Sequence, residues 1–478
     1  MKIPMLSSKI AGRSVAAAAC VLAAGLVGCN QDALLTVPTP DIVLPANVSS
    51  AAALPNAYAA SLGDFQVAFS GSGSYEGLVT YSGMLGDELM NAETFTTRLE
   101  VDRRAINVIN SSLLPIFQNA ERARATAELV ASRYVSFDNA NPRHAEVLAL
   151  GAYMYVVMGE DYCNGVPQSH IAEDGTFVYG DPQTDAQLFT AAVAKFDSAI
   201  TIATAAGANG STALNLALVG KARALLDLNQ PAAAAAAAAL VTTDKYVYNI
   251  LHDENTSREY NGLFVFTVNS KRFTVANNEG GNGLPFVTLN DPRAPVVRTT
   301  VGFDGATPFY RSVKYTSLSP AAYGYLGTTG RGAPVTLASG VEARLIEAEN
   351  ALRNNDDVTL LAKLNAARAA AKTYSDQPTA PASPAPLTVA DLGLTTTSRQ
   401  NLLFQERALD MYLTNHRLGD MRRLIRQYGR DQSTVFPVGA YNPLGAAAGS
   451  AYGTDVNLPV PFEEQNNPKY KGCIDRNA

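Results

Sequence analysis

Apolar positions recur every three or four residues over much of the chain, the mark of helices that bury one face. Over residues 99–135, Ile106, Ile109, Leu113, Phe117, Ala120, Ala127 and Val130 keep that spacing and predict one helix. Asn141-Pro142 breaks the pattern, and a second helix is predicted over 143–158. Its Ala145, Leu148, Ala149, Ala152, Tyr153 and Val156 mix small and large side chains, as close helix packing requires. A third is expected over 185–204, with Leu188, Ala192, Phe196, Ala199 and Ile200 on one face and Asp181 or Asp185 as N-cap. Helices over 211–228 and 231–240 follow, the latter with Pro231 at the first position, where a missing N–H is harmless. The alanine run at 232–239 reads as a packed helix, since alanine is the best helix former. Helices return at 340–353, 358–372 and 397–413, where Thr397 and Gln400 match a capping box.

The helix pairs repeat at intervals of about 30–40 residues, a period that suggests tetratricopeptide-like hairpins. The texture changes over 245–335, where Lys245-Tyr-Val-Tyr248 and Leu263-Phe-Val-Phe-Thr-Val268 predict short strands and Asn277 to Gly283 a loop. Residues 30–50 are polar and proline-rich, with no helical or strand period, and read as a tether. Ser70-Gly-Ser-Gly-Ser74 is a loop, 377–387 a linker, and the tail after Gly429 is rich in Gly, Pro and Tyr. The expected fold is mainly α. A tetratricopeptide-like scaffold occupies mainly 99–245 and 340–428, an irregular lobe with a few short strands about 60–98 and 245–335, and a closing segment 430–478. The body is read as a single unit over 51–478.

Composition narrows the chemistry. The chain has 478 residues and a formal charge of −6, too acidic for a phosphate-backbone binder. Its four histidines, His144, His170, His252 and His416, lack zinc-type spacing, so no metal is expected. His170 and His252 fall in polar loops and read as surface residues. Lys2, Lys9 and Arg13 precede an apolar run, 15–27, too short to span a bilayer. This is the order of a secretory signal peptide, residues 1–28. Leu26-Val27-Gly28-Cys29 at its end resembles a bacterial lipobox, which would leave Cys29 lipidated and the membrane reached through acyl chains. Cleavage there removes three basic residues and takes the charge from −6 to −9 over 450 residues. Cys163 and Cys473 then remain, either as a disulfide or as two free, buried thiols.

Glu406, Arg407, Asp410, Arg417, Asp420, Arg422 and Arg423 form a dense mixed-charge set. Glu406 and Asp410 share a helix face and could be a general acid–base pair. The neighbouring arginines favour the other reading, an ion-pair clasp that locks the last helices to the body. Asp87 and Glu88 sit in a loop with Tyr75, Tyr81 and Phe95, and could either bind sugar or cap and pack. Phe286, Phe309, Tyr310, Tyr323 and Tyr325 are further aromatic candidates for a ligand surface. No nucleophile elbow, P-loop or dinucleotide fingerprint is present.

The stretch from Phe404 through Glu406-Arg407, Asp410, His416-Arg417 and Asp420 to Arg422-Arg423 carries one motif. Leu458-Pro-Val-Pro461 with Glu464 and Asn467-Pro468 carries a second. Arg344-Leu-Ile-Glu347-Ala-Glu349, Arg311-Ser-Val-Lys314-Tyr315 and the turn at 159–167 accompany them. In this order, with the lipobox and tether, the chain resembles the SusD/RagB family of outer-membrane nutrient-binding lipoproteins. It departs from the pattern at Asn415-His416, in the insertion Cys163-Asn-Gly-Val-Pro167, and in having no tryptophan, which weakens a starch-type assignment. The resemblance implies a surface-exposed, non-enzymatic lipoprotein of the outer membrane that needs no cofactor. It would bind an oligosaccharide or a peptide and pass it to a SusC-like TonB-dependent barrel. A lipid-anchored glycan hydrolase using Asp87 or Glu88, and an assembly scaffold without a small-molecule site, are the alternatives.

Overall fold

The structure, a computed structural model, describes residues 43–312, 314, 330–370 and 383–478. Cys29, most of the tether, Tyr323 and Tyr325 lie outside them. The long helices are α1 (Leu54–Ser70), α2 (Leu78–Leu85), α3 (Thr96–Asp102), α4 (Leu113–Phe137), α5 (Pro142–Asp161), α6 (Asp185–Ala205), α7 (Ser211–Asp227), α8 (Pro231–Ala238), α9 (Gly340–Arg353), α10 (Asp357–Ala370), α11 (Thr396–Asp410) and α12 (Arg417–Tyr428). The fold is mainly helical, as the periodicity implies.

From α5 to α9 each helix packs on the one before it, so α4 to α9 stack in chain order, with α10 and α11 against α9. Small residues set the spacing. Gly220 of α7 leaves room for the Phe196 ring of α6 and the Tyr153 ring of α5, and an added Cβ would come within 2.3 Å and 2.8 Å of them. Those two rings meet edge to face at 5.2 Å, and the Tyr153 hydroxyl donates to the Leu216 carbonyl. In α8 the alanine run turns Ala234, Ala237 and Ala238 inward, onto α7 and α9. Helix α6 is long and apolar enough to cross a membrane, but its Leu188, Phe189, Ala192, Phe196 and Ala199 are buried between α5 and α7.

Four local expectations need correcting. The pattern over 99–135 is split between α3 and α4. Pro115 cannot sit inside a continuous helix, where it would remove a hydrogen bond and clash, but it fits the first turn of α4. The N-cap of α6 is Thr184, which closes a capping box with Gln187, while Asp185 is free to meet Arg422. Three consecutive threonines straddle the start of α11, and Thr395 with Ser398 forms the box there, two residues before the expected Thr397. Residues 263–268 form a helical turn and a π-turn in place of a strand. Their unbroken apolar run has no alternation to mark a strand, and the Asn261 side chain accepts the Phe264 N–H to cap a helix.

Paired strands knit the lobe together. Val247–Ile250 runs antiparallel to Val335–Ser339, which leads into α9. Leu89–Asn91 pairs with Phe273–Val275, and Val296–Val301 with Pro308–Ser312. The Thr274 hydroxyl joins the last two pairs by donating to the Pro308 carbonyl and accepting the Tyr310 N–H. Cys163 and Cys473 form a disulfide, with a Cα–Cα separation of 5.9 Å. It staples the C-terminal tail beside the end of α5, where Tyr162 also bridges Leu458.

Candidate functional site

The mixed-charge residues of α11 and α12 are interior, and each is paired. Arg407 grips Asp420 through two hydrogen bonds of 2.8 and 2.9 Å. Arg423 reaches Asp420 at 2.6 Å and Glu349 of α9 at 3.0 Å. Arg422 donates one nitrogen to the carbonyls of Gly159, Glu160 and Tyr162, at 2.9, 2.6 and 3.1 Å, closing the C-terminus of α5. Glu406 and Asp410 both face Arg293, at 2.8 and 3.3 Å. The two arginines around Asp420 hold its carboxyl far below the usual range, whereas burial pushes Asp410 up to about 7. This arrangement is the clasp: carboxylates held by guanidinium forks, with no open face for a sugar.

Most of the predicted ligand contacts are also interior. Tyr81, Asp87, Glu88 and Phe286 have no exposed surface. The Asp87 carboxylate takes two hydrogen bonds from Arg417, at 2.6 and 2.8 Å, and a third from the Leu284 N–H at 2.7 Å. Glu88 accepts the Leu413 N–H at 2.8 Å, and burial raises its carboxyl to about 8. Phe286 lies against Tyr412. Asp87 therefore fastens the lobe to α12, Glu88 and Phe286 fasten it to the turn before that helix, and Tyr81 packs in the core, so none of the four lines a ligand surface. Tyr310 is half-buried on a strand, and of the described candidates Tyr75 and Phe95, at 48% and 51% exposure, stand well out in solvent. His252 is buried too, between Ser70, Gln66 and the Glu259 carbonyl, and burial lowers it to about 4.

On the lobe surface Phe95 is one half of an exposed aromatic pair. Phe95 and Phe303 are 51% and 57% exposed, and the Arg272 guanidinium lies 5.2 Å and 4.9 Å from their ring centres. Arg98 stacks on Phe95 at 5.1 Å and is held by Glu93 and Glu76, and Glu93 also pairs with Arg272. The hairpin loop that carries Phe303 is laid tightly against the strand segment before Phe95. Gly302 packs on Ala92 where an added Cβ would come within 2.5 Å, while the Phe303 and Asp304 N–H groups donate to the carbonyls of Lys271 and Ala92. The sequence reading names Phe95 beside Tyr75 but passes over Phe303, since single aromatics in loops carry no spacing signal. The strand pairing that brings 95, 272 and 303 together is non-local.

The helical scaffold also carries a groove of about 200 Å³. Ala127, Ala131, Val135, Val147 and Leu148 line it, and its charged Glu128 and Lys195 pair with each other at 2.8 Å. Among the described residues no group of His, Cys, Asp and Glu is arranged to hold a metal ion.

No protein-family model matches the chain, and no curated protein matches it. Solved structures do. A SusD-like carbohydrate-binding protein from Bacteroides fragilis superposes with a TM-score of 0.62 at 14% identity, over 88% of this chain and 99% of the other. A SusD superfamily protein from Bacteroides vulgatus gives 0.61 at 12% identity, over 90% and 100%. A SusD/RagB family protein from Bacteroides thetaiotaomicron gives 0.56 at 16% identity, over 86% and 94%. The chain has a SusD-like fold. Nearly the whole length of these structures is covered, so the SusD-like architecture here includes both the helical scaffold and the loop-rich lobe.

Proposed function

We propose that this SusD-like chain is a non-enzymatic binding protein that captures an oligosaccharide at the lobe surface around Phe95, Arg272 and Phe303. The observation that carries this reading is the exposed, rigidly backed aromatic pair on a fold shared with proteins described as carbohydrate-binding. Aromatic faces stack on the apolar faces of sugars, and the adjacent guanidinium can bind hydroxyl or carboxyl groups. The hydrolase alternative loses its support, because Asp87 and Glu88 are enclosed and partnered.

Isothermal titration of the mature protein against a panel of neutral and acidic oligosaccharides tests the reading. Phe95→Ala combined with Phe303→Ala should weaken the best ligand at least tenfold without lowering the melting temperature. Turnover of the ligand, or binding indifferent to both substitutions, would sink it.

Lipid anchoring at Cys29, an outer-membrane location facing outward, and delivery to a SusC-like TonB-dependent barrel belong to the same reading. The lipobox, the tether and the SusD-like body support them. Cys29→Ala should abolish incorporation of labelled palmitate, and the intact lipoprotein should co-purify with a large β-barrel from detergent-solubilised membranes. Recovery of periplasmic assembly factors instead would favour the scaffold alternative.

A further inference from the structure

The two rings of the glycan platform stand on different segments, and the supports of both meet at one buried carboxyl. Phe95 lies between the strand Leu89–Asn91 and α3, which ends at Asp102. The Asp102 carboxyl accepts the Asn91 N–H at 2.6 Å and so closes the segment that carries Phe95. It also accepts the Tyr441 hydroxyl. Tyr441 opens a loop over 441–450, which its N–H closes on the Ser450 carbonyl. That loop lies against the turn that carries Phe303. The Asn442 side chain donates to the Thr307 hydroxyl at 3.0 Å, and that hydroxyl donates to Asp304 at 2.6 Å. Gly445 packs there so closely that an added Cβ would come within 2.6 Å of the Thr307 hydroxyl oxygen. The loop precedes the tail stapled by the disulfide and is seated by its own contacts.

The seat is a pair of acids with no cation opposite them. Glu279 accepts the Tyr452 hydroxyl at 3.1 Å, and the Tyr441 and Tyr452 rings meet edge to face at 5.3 Å. Among the described residues, Asp102 Oδ1 and Glu279 Oε2 have no partner. Arg104 gives its Nε and Nη1 to the carbonyls of Asp455 and Pro437. Burial raises the Asp102 carboxyl to about 7. It raises Glu279 well above its ordinary range, with the Asp102 and Asp87 charges adding to the effect.

We infer that Asp102 is a positioning residue for the glycan platform, holding Phe95 through Asn91 and α3 and Phe303 through Tyr441, Asn442 and Thr307. This deepens the glycan-binding reading and rests on it. Ionisation of Asp102 strengthens its two hydrogen bonds but leaves a buried charge with no cation opposite it, and burial is the larger effect. Opening of the 441–450 loop returns both acids to water, where they ionise freely. The support is therefore complete below about pH 4 and is lost as pH rises through about 7.

The test is a pH profile of affinity. A panel of neutral and uronate hexasaccharides is titrated against the full mature protein, and the tightest binder is carried forward well below the melting temperature. Wild-type affinity should fall about threefold or more from pH 5.5 to pH 8.5. Asp102→Asn keeps an acceptor for Asn91 and Tyr441 but does not titrate, and should remove most of that fall. Asp102→Ala should weaken binding even at pH 5.5, so that the asparagine variant counts as a rescue. Thr307→Val leaves the Asp102–Tyr441 bond in place and cuts the link to Phe303. It should bind about threefold or more weakly and lose the pH dependence. Wild-type affinity equal at both pH values, or an equal fall in Asp102→Asn, would overturn the inference and leave the glycan reading intact. So would variants that lower the melting temperature without weakening the ligand, the mark of a merely structural role. Absence of binding by every hexasaccharide would overturn both. Wild-type hydrogen exchange decides the matter if the variants fail to fold. Exchange over 441–450, corrected for its intrinsic pH dependence, should accelerate in step with the loss of affinity, and unchanged exchange would overturn the inference.

Discussion

At the scale of single residues, burial separates structural charge from ligand-binding charge. Asp87 lies in an aromatic loop segment, so its sequence setting suggests a sugar contact, yet it is enclosed against Arg417. Which of two such roles applies depends on partners more than three hundred positions away, which no local pattern reveals. Removing only the carboxylate, by Asp87→Ala, leaves a buried unpaired guanidinium and is expected to cost about 3–5 kcal/mol in chemical unfolding. Combining Asp87→Leu with Arg417→Met should recover most of that loss, because no charge is then stranded. Glu88 gives a pH signature of opposite origin. Its folded carboxyl titrates at about 8, above the usual value of about 4.3, so the folded state holds the proton more tightly than the unfolded chain. Its favourable contribution is complete below about pH 4 and is lost as pH rises through about 8. Glu88→Gln keeps an acceptor for the Leu413 N–H and removes the titration. The melting temperature of the variant should therefore gain on that of the wild type between pH 5 and pH 9. A constant difference across that range would contradict the assignment.

At the scale of elements, helices with a sustained apolar period were legible to within a few residues, as α5, α7, α8 and α9 demonstrate. The failures lie where competing local signals were close in strength. Thr395, Thr396 and Thr397 can each cap a helix in principle, and the choice depends on how the preceding turn at Gly393 presents the chain. Gly393 has a φ of +68°, a left-handed conformation that side-chain-bearing residues resist. The register is directly testable by thermal unfolding. Thr395→Ala should cost about 0.5–2 kcal/mol, whereas Thr397→Ala should stay within about 0.5 kcal/mol. The apolar run at 263–268 is ambiguous in sequence because period alone cannot separate a short buried strand from a buried helical turn. The aromatic surface was half legible for a related reason. Phe95 stands near other aromatics in sequence, but its partnership with Phe303 exists only once two strand pairs have formed and Gly302 has let their loops touch.

At the scale of the whole molecule, the question is what keeps a lobe of short strands and loops fixed to a scaffold of stacked helices. The ion pairs of α12 bind from within. Arg417 holds the lobe, Arg422 holds the end of α5, and Arg423 holds α9. The Cys163–Cys473 disulfide acts differently, by joining residues 310 positions apart. Closing so long a loop removes much of the freedom of the unfolded chain, an effect expected to be about 2–5 kcal/mol, though native strain can reduce it. The double substitution Cys163→Ala and Cys473→Ala should therefore lower the melting temperature, and a reductant able to reach the bond should lower that of the wild type to the same value. Ligand affinity should be unchanged in both cases, because Phe95, Arg272 and Phe303 are held by the strand pairs and by Asp87–Arg417, not by the C-terminal tail. A fall in affinity that parallels the fall in stability would mean that the tail helps to shape the binding lobe. An unchanged melting temperature would mean that the bond adds nothing to a tail already held by Arg422 and by the bridge from Tyr162 to Leu458.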